Sequence, residues 1–395
     1  MKTGSPLAIR MLMAGLVVGM SILLCGGLAH AILDNNLKVV DLSDLDGPLP
    51  LDVEATTQIL WQTEDWEHSS YNNPSWPSGG TDSVGYPTVV KNDHGQNPDG
   101  KYYLYYAHHD PMSGIGCAVA DSIEGPYAKI AALDPSRADS KVLTVPNYNP
   151  SGPNPGDPSH YSSPCVVWNE QEQLWFMYFH YFNHYHGAWT SDPNYPGYGH
   201  QMTALATCPD LSSHNWTIWT DPTWGNVSVW GIVPVLPTTA EPWINSASSY
   251  NAIQRLVSGQ WLAFVRGTSY AGEARVGFAT STDGRKWNYF RQNPVITPEG
   301  IGERGGAYRP YFVGYLGKNG GGQDEYLVVW GESPTAGDVP AAVYGYTTDF
   351  VNIRRDPRGF ASWKPGDGLV SPWREGDKLY LFAGKYVHRM ALPIQ

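Results

Sequence analysis

Residues 102–110 read YYLYYAHHD, an alternating aromatic run that ends in two histidines and an aspartate. Runs of the same form recur at 174–182 (LWFMYFHYF), 260–267 (QWLAFVRG), 325–333 (EYLVVWGES) and 378–385 (KLYLFAGK). Each is short, rich in aromatic and branched residues, and bounded by turn formers, which is the pattern of a β-strand. An apolar run precedes each one: YPTVVK (86–91), SPCVVW (163–168), NAIQRLV (251–257), RPYFVGY (309–315) and LVSPWR (369–374). A third run with its hairpin follows in four of the units: AVADSIEGPYAKI from Ala118, ALATCPDLSSHNWTIW from Ala204, GFATSTDGRKWNYF from Gly277 and VYGYTTDFVNI from Val343. In these, small and apolar residues alternate into a Ser, Thr or Asp turn, as an antiparallel hairpin requires.

A unit repeated five times along one chain predicts a radial repeat architecture. The fifth unit has a third strand in VHRMALPI (387–394) and then the chain stops, one strand short. TTQILWQT (56–63) is of the right type to supply that strand, which would cover the exposed edges of the first and last units. The expected fold is therefore all-β: a five-bladed β-propeller of four-stranded antiparallel blades, with its ring closed by an N-terminal strand. It is expected to occupy residues 32–395 as a single domain.

Composition agrees with many short strands and turns. The 395 residues include 43 Gly, 32 Pro, 16 Trp and 25 Tyr, and no long helical periodicity is present. Lys2 and Arg10 precede the apolar run MLMAGLVVGMSILL, and AHA follows, which reads as a secretory signal over residues 1–31 and predicts a secreted or periplasmic protein. Cys25 follows a large residue, Leu24, where a lipid-anchor site wants a small one. The remaining cysteines, Cys117, Cys165 and Cys208, sit in or beside apolar strands and are expected to be buried free thiols. No later segment is long and apolar enough to span a membrane. The formal charge is −12 without any basic tract, which argues against nucleic acid as a partner but leaves room for a small cationic pocket.

In a propeller the start of each first strand and the end of each second strand share one face. That geometry gathers Asp82, Tyr86, His108, His109 and Asp110 from the first unit, and His160, Ser163 and His180 from the second. It adds Tyr250 and Arg266 from the third, Glu303, Arg304, Arg309 and Glu332 from the fourth, and Lys385 from the fifth. The opposite strand ends carry plain turn sequences such as KNDHGQNPDG and GKNGGGQ. This asymmetry marks the first face as the expected site.

The repeat, with YYLYY and DSIEGPY as its most specific fragments, resembles the five-bladed propellers of glycoside hydrolase family 43 and its clan over nearly the whole mature chain. The resemblance implies a secreted carbohydrate-active enzyme acting on plant, algal or microbial glycans, with an Asp base, an Asp that tunes it and a Glu acid. The corresponding positions here hold Tyr86 before Pro87, Cys165 after Pro164, and Tyr250, so the usual carboxylates are not matched. RRDP at 354–357 is similar to a family 32 motif but falls on an outer strand after the fourth hairpin.

Three function classes follow. A glycosidase, the first expectation, needs one carboxylic acid and one carboxylate roughly 5 to 10 Å apart across the scissile bond. Glu332 is the expected acid and Asp82 or Asp110 the expected base, with Glu241 and Glu303 as further carboxylates on that face. A polysaccharide lyase, the alternative, would use Tyr250 and His109 to move protons on a uronate-containing glycan; the expected substrate-binding residues of the face are Tyr86, His108, His160, His180, Arg266, Glu303 and Arg309. A non-catalytic glycan-binding propeller would use loop aromatics such as Trp76, Trp189, Trp224 and Trp243 as sugar platforms. No cofactor is required by any of the three. His180, His184 and His186 are of zinc-ligand type and the carboxylates suit calcium, yet no metal-ligand spacing of known pattern accompanies them. A Gly-x-Ser-x-Gly elbow, a phosphate loop and strand–helix alternation are all absent from the sequence.

Overall fold

The computed structural model of the protein describes residues 39–44, 53–68, 84–108, 113–145, 158–183, 201–221, 223, 232–255, 259–269, 272–297, 306–333, 341–356 and 369–392. The chain divides into Met1–Ile32 and Leu33–Gln395, and every described residue belongs to the second unit. The expected signal segment, Asp82, His109, Asp110, Glu303 and Arg304 lie outside the described residues, as do His184, His186, Trp76, Trp189 and Trp224. Among the described residues the helical elements are single turns at Asp65–Glu67, Ile130–Leu133 and Leu211–Ser213. None is long and apolar enough to cross a membrane.

Two short strands come first, β1 (Val39–Asp41) and β2 (Val53–Gln58). The next strands fall into successive antiparallel groups. The first is β3 (Gly85–Lys91), β4 (Tyr102–Ala107) and β5 (Ile115–Ala120), with β6 (Ala128–Lys129) and β7 (Lys141–Leu143) both pairing β5. The second is β8 (Pro158–Asn169), β9 (Leu174–Asn183), β10 (Gln201–Cys208) and β11 (Thr217–Ile218). The third is β12 (Ala247–Arg255), β13 (Trp261–Thr268), β14 (Ala274–Ser281) and β15 (Trp287–Tyr289). The fourth is β16 (Gly306–Lys318), β17 (Asp324–Ser333), β18 (Ala341–Thr347) and β19 (Arg354–Arg355). The last is β20 (Val370–Glu375), β21 (Lys378–Ala383) and β22 (Tyr386–Ala391).

The last group is completed from the other end of the chain, because β2 pairs β22 antiparallel with Thr56 opposite His388 and Gln58 opposite Tyr386. The pairing ends at Gln58, short of the sequence window, where the amides of Ile59 and Leu60 turn to the carbonyl of Lys385. Strand β1, which the repeat does not predict, pairs in parallel with β16. Single residue pairs, Gln201 with Ala247 and Ala274 with Gly306, join the second, third and fourth groups into one sheet, and no closed sheet is present among the described residues. A small cavity of about 20 Å³ is nevertheless lined from all the first strands: Thr88 of β3, Cys165 of β8, Asn251 of β12, Tyr311 of β16 and Ser371 of β20 all border it.

Aromatic packing holds neighbouring groups together. Phe176 of β9 stacks on Trp261 of β13 at 5.4 Å, and both are fully buried with Cys165, Ile253 and Val265 in one apolar cluster. Burying side chains of this size removes apolar surface from water at about 25 cal/mol per Å², the main driving force available to a sheet protein. Trp243 belongs to the same cluster. The sequence assigns it to a sugar platform, but the ring is buried and lies so close to Gly267 and Gly277 that a Cβ at either glycine would collide with it. It is a wedge between strands β13 and β14 and the loop before β12. Cys117, Cys165 and Cys208 are free and buried, as the apolar strands around them predict. Burial pushes the Cys117 thiol well up, which keeps it protonated and chemically inert.

Candidate active site

The first strands of the first three groups are bulged at corresponding places. Register slips between Gly85 and Thr88 in β3, between Ser162 and Cys165 in β8, and between Ser249 and Ala252 in β12. Inside each slip one non-glycine residue takes a left-handed backbone: Tyr86 at φ 55°, Ser163 at φ 53° and Tyr250 at φ 52°. A bulky side chain in this region costs about 1–3 kcal/mol, and such residues gather at functional sites because the surrounding fold must hold them there. The bulge also re-aims the side chain, which strict alternation would send to the wrong side of the pleat. Pro87 and Pro164 directly follow two of these residues, and β16 is bulged beside Arg309 and Pro310. Proline removes one ladder donor and is tolerated in a strand chiefly at such bulges.

The re-aimed side chains meet. The rings of Tyr86 and Tyr250 lie 5.8 Å apart and share an apolar floor with Ala107 and Leu369. Arg309 sits over both rings, 4.6 Å from the centre of Tyr250 and 5.8 Å from that of Tyr86. Arg266 approaches Tyr250 at 4.8 Å. His180 lies 4.8 Å from the Tyr250 ring and 3.2 Å, Nε2 to Nε2, from His160. At that distance one imidazole donates and the other accepts, so the pair shares one proton at this contact. All six side chains are buried, with relative exposures from 1 % for His180 to 8 % for Arg266. His108 is also buried, and its carbonyl accepts from the Ser113 hydroxyl.

The structure thus brings Tyr86, Tyr250, His160, His180, Arg266 and Arg309 together, four groups of strands contributing to one cluster. The carboxylate of Glu332 is engaged by other partners. Its Oε1 accepts from Trp330 Nε1 at 2.8 Å and from Arg355 Nη1 at 2.9 Å, and its Oε2 accepts from Arg355 Nη2 at 2.7 Å. Arg355 is part of the RRDP segment, on the outer strand β19. Glu241 is exposed in a loop, where its carbonyl accepts from the amide of Ile244. Lys385 lies over the ring of Tyr386, on the last group.

Several participants escape a sequence reading. Gln201 Oε1 accepts from the Ser249 hydroxyl at 2.8 Å and from Arg266 Nη1 at 3.3 Å, and Arg266 Nη1 also donates to Ser249 Oγ at 3.1 Å. Ser163, which the sequence does place on this face, is buried beside His180, Tyr250, Thr203 and Asn251, and its hydroxyl has no hydrogen-bond partner among the described residues. Nothing local distinguishes Gln201 or Ser249, since each becomes notable only through a neighbour in another strand. The X-Pro pairs Tyr86–Pro87 and Ser163–Pro164 inside apolar strands are the one signal that could have located two of the bulges. Among the described residues no three His, Cys, Asp or Glu side chains are arranged to hold a metal ion.

No protein-family model matches the chain. It is 34 % identical over 92 residues to an extracellular endo-α-(1→5)-L-arabinanase of Thermotoga petrophila, a match that spans 22 % of this chain and 19 % of that protein. Among solved structures, a candidate glycosidase of Bacteroides thetaiotaomicron superposes with a TM-score of 0.50 at 16 % identity, covering 79 % of this chain and 87 % of the other. An arabinanase of Bacillus subtilis superposes with a TM-score of 0.47 at 13 % identity, covering 78 % and 93 %. The chain is therefore similar in fold to a glycosidase, in agreement with the resemblance to glycoside hydrolase family 43 that its repeat carries.

Proposed function

We propose that the protein is an exported glycan-degrading enzyme, a glycosidase, built as a closed five-bladed propeller and acting where its bulged first strands meet. The observation that supports this most directly is the convergence of Tyr86, Tyr250, His160, His180, Arg266 and Arg309 from separate groups of strands, the two tyrosines in left-handed, re-aimed backbone, on one side of a glycosidase-like fold. Aromatic faces with polar groups around them suit a pyranose or furanose ring. Hydrolysis further needs a carboxyl pair. Asp82, four residues before Tyr86, and Asp110, two residues after His108, are our candidates for the base, with Glu303, six residues before Arg309, as the acid.

Glu332 is better suited to a structural role in this scheme. A bidentate guanidinium and an indole occupy both its oxygens, whereas a general acid must present a proton to the leaving oxygen. Glu332→Gln is expected to retain turnover within a few-fold while lowering the thermal midpoint, because one charge-assisted bond pair worth about 1.5–3 kcal/mol is weakened. Abolished turnover with an unchanged melting curve would return Glu332 to the role of acid.

A second reading, elimination on a uronate sugar, is favoured by the chemistry of the cluster itself. A base would take the proton beside the sugar carboxylate, the glycosidic C–O bond would break with its electron pair leaving on oxygen, an acid would protonate that oxygen, and a C=C bond would form in the sugar. Phenols and imidazoles can serve as base and acid, and guanidinium can neutralise the carboxylate. One assay separates the classes: neutral and uronate-containing polysaccharides are incubated with the protein while reducing ends and the ultraviolet absorbance of unsaturated uronate are both followed. Reducing ends without absorbance are expected for the glycosidase. Both signals together would replace it with a lyase, and binding with neither would leave a sugar-binding module.

A further inference from the structure

We infer that Gln201 and Thr203, at the start of β10 in the second group, are positioning residues that hold Tyr250 of the third group aimed into the cluster. The inference rests on the reading of Tyr250 as a group at the reacting centre, whereas the hold itself is a matter of geometry. Gln201 faces Ala247 in the single residue pair that joins β10 to β12, so the backbone ladder ties the two strands at one point only, short of Tyr250. Side chains supply the rest. Ser249 Oγ donates to Gln201 Oε1 at 2.8 Å, Thr203 Oγ1 donates to the Ser248 carbonyl at 3.1 Å, and Asn251 Nδ2 donates to Thr203 Oγ1 at 2.6 Å. Residues on both sides of Tyr250 are thereby bonded to β10.

Thr203 uses its one hydroxyl both ways, accepting from Asn251 and donating to Ser248, and all three residues are buried, so water does not compete for these bonds. The stretch they bracket contains the register slip between Ser249 and Ala252, where Tyr250 stands at φ 52°. A tyrosine is strained in that backbone. Released by its neighbours it would relax toward the extended region and swing its ring out of the cluster. Thr203 is also the ladder partner of His180 on the other side of β10, and the His180 ring lies 4.8 Å from the ring of Tyr250. One residue thus sets the separation of an imidazole on β9 and a phenol on β12. Gln201 does the same for charge: its Oε1 accepts from Arg266 Nη1 at 3.3 Å as well as from Ser249, and Arg266 lies 4.8 Å from the centre of the Tyr250 ring. Neither Gln201 nor Thr203 is among the six side chains that meet, yet together they fix the spacing of three that do. Misplacing a reacting group by about 1 Å can cost about 100-fold in rate.

The test incorporates fluorotyrosine into the whole protein and assigns the Tyr250 fluorine resonance as the one lost in Tyr250→Phe. Thr203→Val keeps the shape and removes the hydroxyl, and Gln201→Met keeps the length and removes the acceptor. Each is expected to move or split the Tyr250 resonance while that of Tyr344, on β18 of the fourth group, stays in place. Each should also lower kcat by about 10- to 100-fold, with KM within about twofold, on linear arabinan or polygalacturonate, whichever yields reducing ends. Thr203→Ser keeps a hydroxyl and should return both readouts most of the way to wild type. Thermal melts report whether each variant is folded. If Thr203→Val unfolds, Gln201→Met carries the test, because Gln201 is only half-buried. If neither polysaccharide is cleaved, the resonance alone decides. An unmoved Tyr250 resonance in the folded variants overturns the inference, and so does a shift that Thr203→Ser shows in full. A moved resonance together with wild-type turnover in Tyr250→Phe would remove Tyr250 from the chemistry and leave the hold. Lost turnover in Tyr250→Phe with an unmoved resonance in the β10 variants would do the reverse.

Discussion

Tyr250→Phe should lower kcat by about two to three orders of magnitude, the usual cost of deleting a group that moves a proton or hydrogen-bonds developing charge in the transition state. The substitution is unusually clean at this position. It removes one oxygen and keeps the ring that contacts Tyr86, His180, Arg266 and Arg309. It also keeps the backbone requirement, because phenylalanine meets the same steric resistance at φ 52° that tyrosine does. The melting temperature is therefore expected to stay nearly constant while turnover collapses, and steady-state kinetics beside a thermal melt reads both. A rise in KM with kcat unchanged would make Tyr250 a stacking wall for the sugar. Unchanged kinetics in a folded variant would take it out of the chemistry altogether. The loss is expected to be largest under elimination, where the phenol moves a proton, and smaller under hydrolysis, where a carboxyl pair carries the proton transfers.

The backbone order of this fold was far easier to read from sequence than its site. Second strands such as 102–107 and 378–383 are bounded by turn formers and dominated by aromatic and branched residues, so period and length identify them without knowledge of their neighbours. The completion of the last group by a strand near residue 56 was legible for a similar reason: a repeat that stops one strand short leaves an edge that something must cover. The gathering of Tyr86, Tyr250, His160, His180, Arg266 and Arg309 followed from topology, because the start of one strand and the end of the next share a face. What topology could not supply was direction. A bulge shifts alternation by one residue, and whether Tyr250 or Asn251 faces the cluster depends on a left-handed φ that no local pattern announces. Glu332 shows the same limit from the other side. Its place at the end of an aromatic strand was clear, but its partner Arg355 lies across a hairpin on a strand of two residues, too short to carry a periodic signal. Trp243 looked like a sugar platform because the glycines that admit it to the interior, Gly267 and Gly277, belong to strands reached only after folding.

Glu67→Ala should destabilise the protein by about 3–5 kcal/mol, the cost of leaving one member of a buried ion pair without its partner. Glu67 ends the single helical turn that follows the group-completing strand β2, and its carboxylate is inaccessible to solvent. One oxygen accepts from the amides of Thr63 and Glu64 at 2.8 Å and 3.0 Å, the other from the Tyr106 hydroxyl at 2.9 Å, and both receive Lys129 Nζ at 2.5 Å. Trp66 stacks on Tyr106 at 5.7 Å beside this network. The segment after β2 is thereby pinned onto strands β4 and β6 of the first group. Lys129, with a side chain only 11 % exposed, also donates to the Trp61 carbonyl and the Thr63 hydroxyl, so it cannot swing into water without breaking those bonds. Denaturant titration should show the midpoint of Glu67→Ala falling steeply. Glu67→Gln, which keeps the shape and part of the hydrogen bonding, should fall by about 1–3 kcal/mol. Adding Lys129→Met to Glu67→Ala should recover a large part of the loss, because the stranded charge is then gone. If the double variant is no more stable than Glu67→Ala, the charge pair is not what holds this segment, and the stacking of Trp66 on Tyr106 must carry the attachment instead.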